Sequence, residues 1–409
     1  MSFRSITVTA PGKIILHGEH AVVYGKKAVA TAIGLRTSVK LESQADDHVT
    51  LILFNFNISC KWKLDDLQKD VTRLLGADPS CYTQQGSDLF GKFVDEHEIP
   101  DDERNPIKVA ITVFVFLFGR IMADLKSLQS FSLKVDTTIP VGAGLGSSAS
   151  YSVCISAALL AAAGKFPSLN AANDAQPGCC AHRDAAPTCE TLPLSAEDLA
   201  LIYKWSLEAE KLVHGKPSGI DNSVSTYGGA LTFQDGIIKH LTRIPQLKII
   251  LTHTKAPRST KDMVSGLRER YQQFPTIYSS LFDAIGAISE ESCLCLEKLY
   301  HSEAEEKDTT TVDSKNLYRI LEKLIDLNQH LLVTLGVSHG SLDRLCRVTA
   351  KYGMHSKLTG AGGGGCGFTL VTPGTCEKSV NDVIHELTDL GFEVWDTCLG
   401  DQGVKLHMA

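Results

Sequence analysis

The run Pro140-Val141-Gly142-Ala143-Gly144-Leu145-Gly146-Ser147-Ser148-Ala149 alternates glycine with other residues and then ends in adjacent hydroxyls. Glycines at alternate positions leave backbone amides open to close approach by an anion. The flanks narrow what the loop can be. Upstream, Phe131-Ser132-Leu133-Lys134-Val135 alternates like a half-buried strand, and downstream Tyr151 to Ala163 is an almost unbroken apolar helix. The loop therefore opens onto a helix N-terminus, which carries partial positive charge. Ser147 and Ser148 fall in the first turn, where a hydroxyl can cap the helix or reach a metal that accompanies a nucleotide. The segment predicts a phosphate cradle between a strand and a helix.

Two better-known glycine motifs are excluded. A Walker A loop needs Lys and then Ser or Thr after its last glycine, and here Ser147 follows Gly146 directly. The string Gly360-Ala361-Gly362-Gly363-Gly364-Gly365 satisfies G-x-G-x-x-G, but the strand-like run Gly367-Phe368-Thr369-Leu370-Val371-Thr372 follows where a dinucleotide-binding loop requires a helix.

With 409 residues, 43% hydrophobic and 21% charged, the chain has the composition of a globular protein large enough for two domains. A net charge of −7 gives no general attraction to nucleic acid or to anionic membrane, while leaving room for a local basic cleft. The apolar run Val109 to Phe118 is roughly half of the ~20 residues that crossing a bilayer requires, and reads as a buried core helix. No signal-peptide pattern opens the sequence, and its twelve cysteines are scattered, so a reduced, cytoplasmic protein is expected. Cys179, Cys180, His182 and Cys189 form a cluster with zinc-ligand residue types, but adjacent cysteines lack the usual spacing, and a solvated loop is the better reading.

Strands are expected at 5–10, 28–42, 48–55 and 131–139, and helices at 63–76, 83–96, 105–128 and 149–164. The stretch from Phe166 to Pro193 has little hydrophobic periodicity and reads as an exposed insert. Ser195, with Asp198 three residues on, starts a helix to about Val213 through a short capping box. That helix feeds His214-Gly215-Lys216-Pro217-Ser218-Gly219-Ile220-Asp221-Asn222, where Asp221 reads as part of a turn. Asp235-Gly236 between strands 229–234 and 237–242 is a two-residue hairpin signal. A strand at 247–252, a predominantly helical stretch from Ser259 to Tyr352, strand 367–372, helix 376–389 and strands near 392–396 and 403–406 complete the chain. A domain boundary is expected near residue 240.

Three separated segments carry a family resemblance. They are Ala10-Pro11-Gly12-Lys13-Ile14-Ile15-Leu16-His17-Gly18-Glu19-His20-Ala21-Val22-Val23-Tyr24-Gly25, the loop at 140–149, and Lys357-Leu358-Thr359-Gly360-Ala361-Gly362-Gly363-Gly364-Gly365-Cys366-Gly367. Together they resemble, in order, the three signature motifs of the GHMP small-molecule kinases, and the likeness covers nearly the whole chain. The first segment, His214 to Asn222, and Lys255-Ala256-Pro257-Arg258-Ser259-Thr260 further resemble the animal members that phosphorylate mevalonate. The resemblance implies an α+β fold with a ribosomal-protein-like αβ domain over 1–240 and a ferredoxin-like domain over 241–409. It implies ATP and Mg2+ as cofactors, and mevalonate as the acceptor in the cleft between the domains.

Carried over residue by residue, the resemblance implies Asp221 as the acceptor of the substrate's hydroxyl proton and Lys13 as its cationic partner. ATP would be bound by Lys13, by Gly142, Ala143, Gly144, Leu145, Gly146, Ser147 and Ser148, and further out by Asn55 and Thr137. Ser148 and Glu210 match the family's metal ligands, with Glu208 as the alternative carboxylate. Glu19, His20, Thr260 and Ala361 join Lys13 and Asp221 on the substrate side, with Glu19 and His20 expected to orient Lys13. A homodimer and feedback inhibition by prenyl diphosphates are also implied. One departure is Val141, where many relatives carry a second proline. Another is the 166–193 insert, longer and richer in cysteine than its counterpart. Other readings remain at this point. A galactokinase-type enzyme would need a carboxylate after His20, where Ala21-Val22-Val23 stands, and a phosphomevalonate kinase would need extra basic residues. A non-catalytic sensor on the same fold would not need Lys13, Ser148, Glu210 and Asp221 intact.

Overall fold

The long strand β1 (Ser5–His17) and its antiparallel neighbour β2 (Ala28–Ser43) form the spine of a sheet, with Ile6 opposite Leu41 at one end and His17 opposite Val29 at the other. The computed structural model describes residues 5–75, 104–123, 125, 128–167, 190–241, 244–257, 259–306 and 312–408. After β2 come β3 (His48–Leu53), β4 (Ile58–Lys63), α1 (Leu64–Leu75), α2 (Arg104–Ile121), β5 (Phe131–Thr137) and α3 (Ser147–Ala162). Then follow β6 (Glu190–Leu192), α4 (Ala196–His214), α5 (Ile220–Tyr227), β7 (Ala230–Gln234) and β8 (Ile237–Leu241). β5 pairs antiparallel with β2 and parallel with β3, while β7 pairs with the start of β2.

The remaining elements are β9 (Leu247–His253), α6 (Thr260–Gln273), α7 (Pro275–Glu306), α8 (Val312–Thr334), α9 (Gly340–Ala350), β10 (His355–Leu358), β11 (Cys366–Leu370), α10 (Glu377–Asp389), β12 (Glu393–Leu399) and β13 (Lys405–Met408). Four of these strands lie in the order β10-β11-β9-β12, all antiparallel. Numbered within this unit and read backwards, that order is 4-1-3-2, the arrangement of a ferredoxin-like sheet. A single pair, Leu399 with Ile33, joins β12 to β2, so the two sheets are continuous. The last strand, β13, returns to the first sheet and pairs with β1 on one side and β6 on the other.

The local physics accounts for most of these elements. Val113 to Phe118 of α2 and Val153 to Leu160 of α3 are buried on all faces, as helices apolar all round must be. Trp62 stacks on Phe114 with ring centroids 5.8 Å apart, tying β4 to α2. Ser195 and Asp198 form the reciprocal capping box expected at the start of α4. Asp235 and Gly236 both take positive φ, 50° and 80°, as the two-residue hairpin between β7 and β8 requires. Among the described residues, no helix is long and apolar enough to cross a membrane.

Several expectations are corrected. β1 runs on to His17 rather than stopping near residue 10, because its register shifts at Gly12 and again before His17 without breaking the pairing. β4, β6 and β10 are strands that the sequence pattern did not single out. Asp221 lies on a helix, α5, and not in an isolated turn; with Gly219 before it and Gly228 after it, that helix is too short to display a periodicity. The insert is anchored at both ends: Phe166 is fully buried in the core and Glu190–Leu192 pairs with β13. The expected helix at 83–96 and the cluster of Cys179, Cys180, His182 and Cys189 lie outside the described residues.

The burial of Phe166 generates a prediction. Phe166→Ala should cost about 3–5 kcal/mol, the range for truncating a buried aromatic, measured as a shift in the urea unfolding midpoint at constant m-value. A loss below about 1 kcal/mol would return this residue to the exposed-loop reading.

Candidate active site

Lys13 is aimed by an irregularity in β1. The register against β2 shifts between Pro11 and Lys13, and such a bulge bends the strand and redirects the next side chain. Three bonds hold the bend: Ser150 Oγ donates to Ala10 O at 2.7 Å, Ser225 Oγ to Pro11 O at 2.8 Å, and Lys13 N–H to Leu145 O at 2.8 Å. Gly12 is required here, since a Cβ would lie 2.7 Å from Leu145 O. From the other side, a Cβ on Gly146 would sit 3.0 Å from Lys13 Cγ. The first and second sequence motifs thus touch through glycine. Lys13 Nζ then stands 3.2 Å from Asp221 Oδ1, with the lysine largely buried and the aspartate 41% exposed. Asp221 lies in the first turn of α5, behind Gly219 at φ 78°, where the helix dipole favours a carboxylate.

The loop at 140–149 borders a cavity of about 820 Å³. Gly142, Gly144 and Gly146 have φ of 75°, 76° and 77°, a left-handed conformation repeated at alternate residues that explains the alternate glycines. These three, with Ser147, Ser148, Asn55, Thr137, Glu210 and Asp221, line the cavity. Ala143 and Leu145, expected in the same set, turn their side chains into the core instead, and Leu145 contributes the carbonyl that holds Lys13. Asn55 is locked to the backbone: its Nδ2 donates to Thr137 O and its Oδ1 accepts from Thr137 N, both at 2.9 Å. The pair fixes the turn at the cavity's outer wall. Asn222, missed by the sequence reading, is buried in the same wall, and its Nδ2 has no partner among the described residues.

Glu210 projects from α4 into the inner end of the cavity and is 5% exposed. Its Oε1 accepts from Ser148 Oγ at 2.6 Å and from Ser152 Oγ at 3.2 Å, while Oε2 is 3.4 Å from His214 Nε2. Burial pushes its carboxyl above the usual range, the nearby Asp221 charge adds to this, and Ser148, His214 and Ser152 oppose it. Glu208 instead pairs with Lys211 at 2.8 Å, away from the cavity lining. A desolvated carboxylate held by neutral hydroxyls, with a second carboxylate in its field, suits a hard divalent cation. Protein groups supply few ligands to Mg2+, with phosphates and waters completing the octahedron, so a Ser148–Glu210 pair fits it. Among the described residues, no group of three or more His, Cys, Asp and Glu is arranged to hold a metal. Ser152 was missed in the sequence, although its spacing of four from Ser148 puts both on one helix face.

Of the residues expected on the substrate side, Asp221 lines this cavity, whereas Lys13, Glu19, His20, Thr260 and Ala361 are not part of its lining. His20 takes φ 61°, unusual for a residue with a Cβ, and its Nε2 is 2.9 Å from Ala361 O. Because a carbonyl only accepts, Nε2 carries the proton. Burial holds the His20 ring below its ordinary pKa, so the neutral form is favoured. Glu19 is completely buried, and its carboxylate is hydrogen-bonded to Lys357 Nζ, also completely buried. Its direct partner is therefore Lys357, while Lys13 bears on it as a weaker charge through space. Thr260 is exposed at the first turn of α6. The glycines at 362–364 serve packing: a Cβ would meet Val337 O at 2.0 Å, Met263 Sδ at 2.6 Å and Ala256 O at 2.8 Å in turn.

Comparison with known proteins agrees with this geometry. Residues 109–176 match the GHMP kinases N terminal domain, and residues 314–389 match GHMP kinases C terminal. The chain is 42% identical to the mevalonate kinase of Mus musculus, with 100% of this chain and 97% of that protein covered. It is 42% identical to the mevalonate kinase of Homo sapiens, covering 99% and 95%. Among solved structures, the mevalonate kinase of L. major in complex with R-mevalonate has the same fold at a TM-score of 0.64 and 19% identity, covering 97% of this chain and 96% of that one. With sequence likeness running the full length of both chains, and both GHMP domains matched, this protein belongs to the mevalonate kinase family of the GHMP kinases.

Proposed function

We propose that the protein transfers the γ-phosphoryl group of ATP to the C5 hydroxyl of mevalonate, giving 5-phosphomevalonate and ADP. The observation that carries this reading is the Lys13–Asp221 pair at 3.2 Å, with Asp221 on the wall of the cavity that the glycine loop borders. Phosphoryl transfer passes through a loose transition state, so the protein's work is mostly positioning and charge stabilisation. Asp221 accepts the hydroxyl proton as the oxygen attacks phosphorus. Lys13 pairs with that carboxylate and offsets charge building on the transferred group.

Gly142 to Ser148 present the phosphate-binding backbone and hydroxyls, Asn222 Nδ2 adds a donor, and the Asn55–Thr137 pair shapes the outer part of the nucleotide site. Ser148 and Glu210 hold Mg2+, which when bound neutralises phosphate oxygens. On the acceptor side stand Glu19, whose buried Oε2 has no hydrogen-bond partner among the described residues, and His20, Thr260 and Ala361. In this reading residues 1–240 form the ATP-binding unit and 241–409 the C-terminal unit. Homodimerisation, inhibition by prenyl diphosphates and a cytoplasmic location accompany it on the strength of the family. The direct test is ADP release with mevalonate, galactose, homoserine or phosphomevalonate under matched conditions. Mevalonate should be preferred, and a preference for any of the other three overturns the assignment.

Two further outcomes follow from the roles. Asp221→Asn preserves size but removes the proton acceptor, so ADP release should fall by a factor of about 100 or more while calorimetric ATP affinity stays near that of the wild type. Near-normal turnover would remove Asp221 from the role of base.

For Glu210, the folded-state pKa is raised, so its contribution to stability is present below the ordinary value of 4.5 and is lost as pH rises through the folded value. Above that folded value the ionised carboxylate is therefore a cost to the ligand-free fold. Glu210→Gln should leave the ligand-free Tm equal or higher there, with the difference shrinking toward acid, yet lower the rate and weaken stabilisation by Mg2+ with ATP. A lower ligand-free Tm above that value would contradict this account of the site.

A further inference from the structure

The interface between β1 and the C-terminal unit is stitched by buried polar groups that the nucleotide cavity does not share. Thr359 bridges it twice, its Oγ1 accepting from Ile15 N at 3.0 Å and donating to Ile15 O at 2.9 Å. His17 Nδ1 lies 2.9 Å from Asn328 Oδ1 on α8, and His20 Nε2–H donates to Ala361 O. At the centre is Lys357 at the end of β10, whose ammonium group meets Glu19 Oε1 and donates to Leu358 O at 2.8 Å. The same Nζ lies 5.4 Å from the centroid of the Phe368 ring, so an apolar wall closes the other side. A lysine and a glutamate with no exposed surface, 338 residues apart in sequence, are costly to bury and specify one geometry where they meet.

We infer that Lys357 is a positioning residue of the transfer reaction: through Glu19 it sets the Gly18–His20 turn against the Gly360–Gly365 loop, and so preforms the acceptor pocket without acting on the nucleotide site. The inference rests on the proposed acceptor role of Glu19 and His20. None of residues 15–20 or 357–361 lines the nucleotide cavity, so loss of the tie should separate the two substrates. Gly18, at φ 100° with a Cβ position 2.4 Å from Ala28 Cα, leaves the turn one way to pack against β2. The tie to Lys357 fixes its other side.

The experiment compares steady-state kinetics and Tm of the wild type, Lys357→Met, Glu19→Gln, and Glu19→Gln with Lys357→Met. In Lys357→Met the KM for mevalonate should rise about tenfold or more while the KM for ATP stays within about twofold. The Gln of Glu19→Gln still accepts a hydrogen bond from Lys357, so that single variant should keep a lower mevalonate KM than the double variant. The double variant, with no buried charge left unpaired, should regain Tm without regaining mevalonate affinity. A mevalonate KM within about twofold of wild type in Lys357→Met, whatever its Tm, makes the pair a packing element only and overturns the inference. Should Lys357→Met fail to fold, equal mevalonate KM values in Glu19→Gln and the double variant overturn it equally. A wild type inactive on mevalonate would sink the underlying assignment instead, so the two failures are told apart.

Discussion

The arrangement depends on how four residues of one strand, Ala10 to Lys13, are held. Their carbonyls and amides are bonded from three directions: by Ser150 of α3, by Ser225 of α5 and by Leu145 of the glycine loop. Each of these partners belongs to an element with its own functional group, since α3 carries Ser148, α5 carries Asp221 and the loop borders the nucleotide cavity. The hydrogen bonds that satisfy the bulged strand therefore also set the distances between lysine, aspartate and phosphate loop. An unpaired backbone group at such a buried bend would be costly, so the fold and the site are specified by the same bonds.

A second theme is the use of desolvation. Glu210 is buried beside Asp221 with serine hydroxyls as its closest donors, which raises its proton affinity and leaves the ligand-free site under electrostatic tension. Glu19 and Lys357 are buried as well, and burial drives each toward its neutral form while each pulls the other back. The hydrogen bond between them holds whichever partner carries the proton. The two buried carboxylates thus differ in what answers them: a structural ammonium for Glu19, and for Glu210 a pair of hydroxyls that suit a cation arriving with the nucleotide.

Much of this was legible in the sequence, for identifiable reasons. The apolar helices α2 and α3, the capping box of α4 and the Asp235-Gly236 hairpin carry strong local signals, and all appear where those signals put them. The phosphate loop was readable because alternate glycines, a strand before and a helix after are all local properties. What escaped was non-local or short. α5 spans eight residues between glycines, and β10 spans four. The Glu19–Lys357 pair has no signal at either end, because nothing in a glutamate's neighbours reports a lysine more than three hundred residues away. The reason for glycine at 362–364 is equally non-local, since these residues make room for Val337, Met263 and Ala256.

The central claim is that Lys13 and Asp221 act as one unit, set by the bend in β1. It is tested most directly by a double-mutant cycle on kcat, comparing Lys13→Met, Asp221→Asn and the variant carrying both. If the two groups share one task, the double variant loses little more activity than the worse single variant, as for residues that act together in other catalytic sites. Losses that instead add on a logarithmic scale would show two independent contributions and contradict the account.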